Sequence, residues 1–108
     1  MPKYLVTGGY SPEGLQGLIK DKASGRKAAL QAAVKGLGGK LESFYYAFGP
    51  DDIVLILEAP DNASAASLAV SARATGLVDV SITPLLTVAE MDEALEKPAK
   101  YRAPGEGK

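Results

Sequence analysis

Five apolar residues in a row, Ile53-Val54-Leu55-Ile56-Leu57, stand out in the hydropathy pattern, bracketed by Asp51-Asp52 and Glu58. Neighbouring residues of a strand point to opposite faces of a sheet, so this run puts apolar groups on both faces. It forms the second arm of a hairpin. The first arm spans residues 40–48, and Gly49-Pro50-Asp51 between the arms is turn chemistry. Two further strands flank this pair. Residues 3–10 are rich in Tyr, Val and Thr; residues 77–86 alternate Val78, Val80 and Ile82 with Asp79, Ser81 and Thr83.

Helical spacing fills the intervals. Ser11 is an N-cap, Pro12 a first helical residue and Glu13 an acid in the first turn. Leu15, Leu18 and Ile19 follow at helical spacing, and Leu30, Ala33, Val34 and Leu37 resume it after the polar run from Lys20 to Lys27. That region is either one long helix with a break near Gly25 or two helices with a Ser24 cap. Gly38-Gly39 closes it. Asp61 caps an Ala-rich helix that runs to Ala74 and stops at Gly76. Thr87 caps a short last helix reaching about Glu96, and residues 98–108 form a Pro-, Gly- and charge-rich tail expected to be mobile.

The order is therefore β-α-β-β-α-β plus a terminal helix: an α+β, ferredoxin-like arrangement in one domain, residues 1–97, with a four-stranded antiparallel sheet and helices on one face. The third strand is expected inside that sheet. Helices cover one of its apolar faces; the other would be an exposed patch in a monomer. The expected cover is the same face of a second copy, giving a homodimer. A long loop or the C-terminal segment folded over that face is the alternative.

Composition narrows the chemistry. With 108 residues, 12 basic and 13 acidic groups and a formal charge of -1, the chain advertises no basic face, and no nucleic acid partner is expected. No run approaches the ~18 apolar residues of a membrane span, and Met1 to Val6 lacks the apolar core of a secretory signal, so no membrane association and a cytoplasmic location are expected. Cysteine and histidine are both absent, which removes thiolate and imidazole catalysis. Carboxylates, Lys, Arg, Tyr, Ser and Thr remain.

Several stretches resemble the GYD domain family: residues 1–8, Tyr10-Ser11-Pro12-Glu13-Gly14, residues 38–42, Phe44-Tyr45-Tyr46-Ala47-Phe48-Gly49, Pro60-Asp61-Asn62-Ala63, Gly76 and Leu85-Leu86-Thr87. The resemblance covers roughly residues 1–104. It implies a small, mostly bacterial family of unassigned function with the dimeric α+β barrel form of the ferredoxin-like fold. The family motif is a Gly, Tyr and Asp at the hairpin turn. Gly49 and Asp52 match the Gly and Asp, but Pro50-Asp51 fills the interval and the tyrosine is missing.

Candidate ligand-binding residues are Tyr10, Arg26, Tyr46, Asp52 and Arg73. The two arginines suit an acidic ligand or an intersubunit pair, with solvated surface as the plain alternative. Asp51 and Asp52 read first as turn residues; two carboxylates fall short of the six or so oxygens a hard cation takes, and no metal or cofactor is expected. Phe44, Tyr45, Tyr46 and Phe48 hold four of the seven aromatics. Such a strand invites comparison with RNA-recognition sheets, but the charge favours core and interface packing. Gly8-Gly9 before the Ser11 cap resembles an anion-binding corner, with simple turning of the chain as the plainer reading. The functional expectation is a small homodimer that binds a small-molecule ligand between sheet and helices or serves as an interaction module. The alternative is a cofactor-free enzyme, monooxygenase- or isomerase-like, acting on a small phenolic or acidic metabolite. That alternative rests on fold analogy.

Overall fold

The computed structural model describes residues 1–107; Lys108, the last residue of the expected tail, lies outside the described residues. The elements run β1 (Lys3–Tyr10), α1 (Pro12–Gly36), β2 (Lys40–Tyr46), β3 (Ile53–Glu58), α2 (Asn62–Ala74), β4 (Val78–Leu85) and α3 (Val88–Leu95). All strand pairs are antiparallel and the sheet order is β2-β3-β1-β4, so β1 and β3 lie inside. β2 ends at Tyr46, two residues short of the expected Phe48. Past Tyr46 only one backbone bond continues the pairing, from Ala47 N–H to the Asp52 carbonyl, and Phe48 stands free in solvent.

β3 has two distinct faces, as its sequence requires. Ile53, Leu55 and Leu57 are buried with Tyr4 and Val6 of β1, Val80 of β4, Val34 of α1 and Ala65 of α2. Val54 and Ile56 point to the opposite face and stay partly exposed, next to Leu5 of β1 and Tyr45 of β2 in the strand register. The buried Tyr4 satisfies its polar tip by donating its hydroxyl to the Asn62 side chain at 2.6 Å. α1 lies over the β2 side of the sheet and α2 over β4.

All three helices start on a side-chain cap. Ser11, Asp61 and Thr87 accept from the backbone N–H of Gly14, Ser64 and Glu90 at 3.0, 2.8 and 3.0 Å. At the end of α1, Gly38 takes φ +83°, a conformation that suits glycine. α3 buries none of its residues, and its Val88, Met91 and Leu95 are exposed together with Leu86. The chain is accordingly elongated, with a radius of gyration of 17.4 Å against about 13 Å for a compact domain of this size.

The break in α1 falls at Lys22, not near Gly25. Lys22 has φ 67° and ψ 163°, a region of backbone space almost closed to residues with a side chain. The polar run around it has Ala23 as its one apolar side chain, and that methyl is exposed, so nothing in the run holds it to the sheet. Such a conformation costs about 1–3 kcal/mol. Lys22→Gly is therefore expected to raise the unfolding free energy by about 1 kcal/mol, after allowing for glycine's own flexibility. Urea denaturation at fixed protein concentration measures this; a loss of stability would mean that contacts of the lysine outweigh its backbone strain.

Candidate functional site: a groove between α1 and α2

The kink decides which residues of α1 face the second helix. Before it, Gly14, Leu18 and Asp21 share one helical stripe; after it, Arg26, Leu30 and Val34 share another. An unbroken helix would continue the first stripe to Gly25. Past the kink, Arg26 is the residue that borders the groove together with Asp21. Gly14 lets the helix start lie close against the chain entering β4: a Cβ there would sit 2.0 Å from the Leu77 carbonyl oxygen.

Between α1 and α2 the sheet is left partly uncovered. An outer vestibule of about 240 Å³ is bordered by Gly14, Leu18, Asp21 and Arg26 of α1 and by Ala72 and Thr75 at the end of α2. An inner recess of about 80 Å³ is lined by Leu30, Phe44, Leu55, Leu68 and Val80. Tyr10, Arg26, Ala72 and Val78 border both. Polar groups thus collect at the mouth and apolar ones at the floor, the usual division of labour in a small-molecule pocket.

Tyr10 and Arg26, two of the five candidate residues, border the groove, and a third, Tyr46, lies beside them without lining it. Tyr46 lies against Phe44, with ring centroids 5.0 Å apart. Its phenol is pushed above the ordinary tyrosine range, by burial first and then by hydrogen bonding and repulsion from the Tyr10 phenol; the Arg26 cation works the other way. Arg26 has the Asp21 carboxylate as its neighbour at 3.6 Å, and among the described residues it makes no hydrogen bond. Because folding favours the neutral phenol, whatever stability Tyr46 contributes is present below the ordinary tyrosine pKa of 10.0 and fades as the pH rises above it. An alkaline titration followed in the near ultraviolet is expected to contain a late-ionising component that Tyr46→Phe removes. A wild-type curve without it would contradict this environment.

The other two candidates lie elsewhere. The Asp52 carboxylate accepts from the Tyr10 backbone N–H at 2.9 Å, while the Asp52 N–H donates to the Gly8 carbonyl at 2.7 Å. It latches the hairpin to the end of β1 and so holds Tyr10 in place. Arg73 pairs with Asp79 at 3.3 Å on the exposed rim of a broad depression of about 650 Å³ that includes Gly8, Gly9, Ser11 and Asp51. At that corner the Ser11 N–H already donates to the Leu77 carbonyl at 2.9 Å and the Gly14 N–H to the Ser11 hydroxyl. Gly8 and Gly9 do not turn the chain, as the plainer reading expects: they lie within β1 opposite Val80 and Asp79, and a Cβ on Gly8 would sit 2.2 Å from the Asp79 carbonyl oxygen. Gly49 sits in the exposed turn with open space where a Cβ would stand. Among the described residues no group of three or more acidic side chains converges as a metal site would need, and no helix is long and apolar enough to cross a membrane.

Sequence reasoning missed Asp21, Leu18 and Leu30 as groove residues. Asp21 was visible only as one charge in a polar run, and the two leucines only as core periodicity.

These features define an α+β fold whose four-stranded antiparallel sheet carries an open, polar-mouthed groove in its helical layer. The sequence matches the GYD domain family over residues 4–95, from the second residue of β1 to the end of α3, and the chain belongs to that family. Comparison with curated proteins found no match.

Proposed function

We propose that this protein is a small-ligand-binding member of the GYD domain family, a homodimer of ferredoxin-like domains joined through their open sheet faces as an α+β barrel. The observation that carries the binding half is the Arg26 guanidinium at the mouth of an apolar cleft, which faces the Asp21 carboxylate at 3.6 Å and makes no hydrogen bond among the described residues. A cleft left open between two helices forfeits packing that the chain could otherwise gain, and a ligand that fills it restores the contacts.

The assembly half rests on the other face. Leu5, Val54, Ile56 and Tyr45 form an apolar strip that no element of the chain buries, and strand order β2-β3-β1-β4 with both helices opposite leaves that strip free to meet its equal. Such a self-complementary contact is isologous. It also leaves the α1–α2 groove open to solvent in both copies. A phenol held neutral is a hydrogen-bond donor that a bound ligand can use.

Native mass spectrometry of protein purified from its own cells, followed by thermal shift against a library of small metabolites, tests the reading. The expected result is a dimer carrying one small molecule per chain, or a dimer whose Tm rises with compounds of one chemical class. Bare protein that no compound stabilises would contradict it.

A further inference from the structure

We propose that the α1–α2 groove takes a small monocarboxylic acid with a compact apolar body, its carboxylate on Arg26 and its body in the recess beneath. The inference rests on the binding reading and names the ligand's chemistry. Three observations point to it. Guanidinium presents donors in a planar fork that matches a carboxylate, and Arg26 spends none of them on a hydrogen bond among the described residues. Tyr10 borders both parts of the groove, with Tyr46 beside it, adding hydroxyl donors and no second cation. Below them, Leu30, Phe44, Leu68 and Val80 offer no polar partner, so the inner part of the ligand has to be apolar.

Size and charge exclude the nearest competitors. Spaces of about 240 and 80 Å³ admit a ring or a short branched chain and not a nucleotide. A phosphate ester carries nearly two negative charges, and Asp21 stands 3.6 Å from Arg26, the one arginine among the described residues that line the groove, so a dianion meets more repulsion there than a monoanion. The strained Lys22 backbone adds an independent indication. It lies between Asp21 and Arg26, the two charged residues of α1 at the groove, and strain of this kind concentrates at binding sites.

Benzoate, benzamide and phenyl phosphate are the probes, titrated calorimetrically at neutral pH into the full chain and into Arg26→Gln and Asp21→Asn. Both positions are on the surface, and circular dichroism checks that each variant is folded. Benzoate is expected to bind, with benzamide and phenyl phosphate each weaker. Arg26→Gln is expected to weaken benzoate by about 10-fold or more, the equivalent of losing one charge-assisted hydrogen-bonding partner, and Asp21→Asn to tighten it. Equal binding of benzamide, tighter binding of phenyl phosphate or an unchanged affinity in Arg26→Gln would each overturn the proposal. If a library compound without a carboxylate binds and benzoate does not, the ligand class falls while the binding reading stands; if nothing binds, both fall.

Discussion

Leu55→Ala is expected to cost about 3 kcal/mol of folding free energy, within the range of roughly 2–5 measured for buried leucines. Leu55 is 2% exposed, sits opposite Val6 and Phe44 in the register and borders the groove floor, so truncation leaves a cavity lined by rigid strands. A domain of this size has ~5–15 kcal/mol in total. Urea denaturation checks it: the midpoint should fall sharply with an unchanged slope. Because unfolding of a dimer depends on concentration, wild type and variant must be compared at one protein concentration. A loss below about 1 kcal/mol would mean that the sheet and helices close over the gap, and that this layer is not the core described above.

The neighbouring residue answers to a different measurement. Ile56→Lys is expected to leave the domain folded and weaken its self-association by at least about 100-fold, because an isologous contact would bury two uncompensated ammonium groups, each costing several kcal/mol. Ile56 lies between Leu5 and Ser43 at the middle of the open face, and its partial exposure in the single chain leaves room for a lysine to reach water. Light scattering should give a dimer for wild type and a monomer for the variant, both with the same circular dichroism. A monomeric wild type at micromolar concentration would remove the reason offered for the apolar strip. A dimeric Ile56→Lys would move the interface elsewhere, and the exposed apolar side chains of α3 are the obvious place to look.

The contrast between Leu55 and Ile56 is a fair measure of what the sequence discloses. Strand periodicity is local and strict, so the two faces of β3 can be read from five letters. Helix starts are equally local: Ser11, Asp61 and Thr87 each cap as their residue types require, and Glu90 returns the bond to the Thr87 N–H at 2.8 Å to complete a capping box. The kink is not local. Gly25 is the residue most tolerant of an unusual backbone, yet the bend sits at Lys22, whose backbone bears the strain. The same limit applies to Asp52. Its carboxylate reads as turn chemistry until the chain brings the Tyr10 N–H to it from 42 positions away.

The groove follows this rule. Tyr10, Arg26 and Tyr46 belong to three different elements, and nothing in their spacing announces that they meet. Residue chemistry was enough to nominate them, since Tyr and Arg are among the few groups left in a chain without His or Cys. It was also enough to nominate Arg73, which the fold places on a separate rim. Asp21 was passed over because its significance depends on Arg26 being turned toward it.

Mapping of backbone amide and methyl shifts by NMR, in titrations with benzoate and with whichever library compound stabilises the protein most, tests the central claim most directly. The claim predicts that the perturbed residues gather around the groove, at Leu18, Arg26, Leu30, Leu68, Ala72 and Val78. Shifts centred on Leu5, Val54 and Ile56 of the open sheet face, or on Arg73 and Asp79, would contradict it, as would a spectrum that no compound moves.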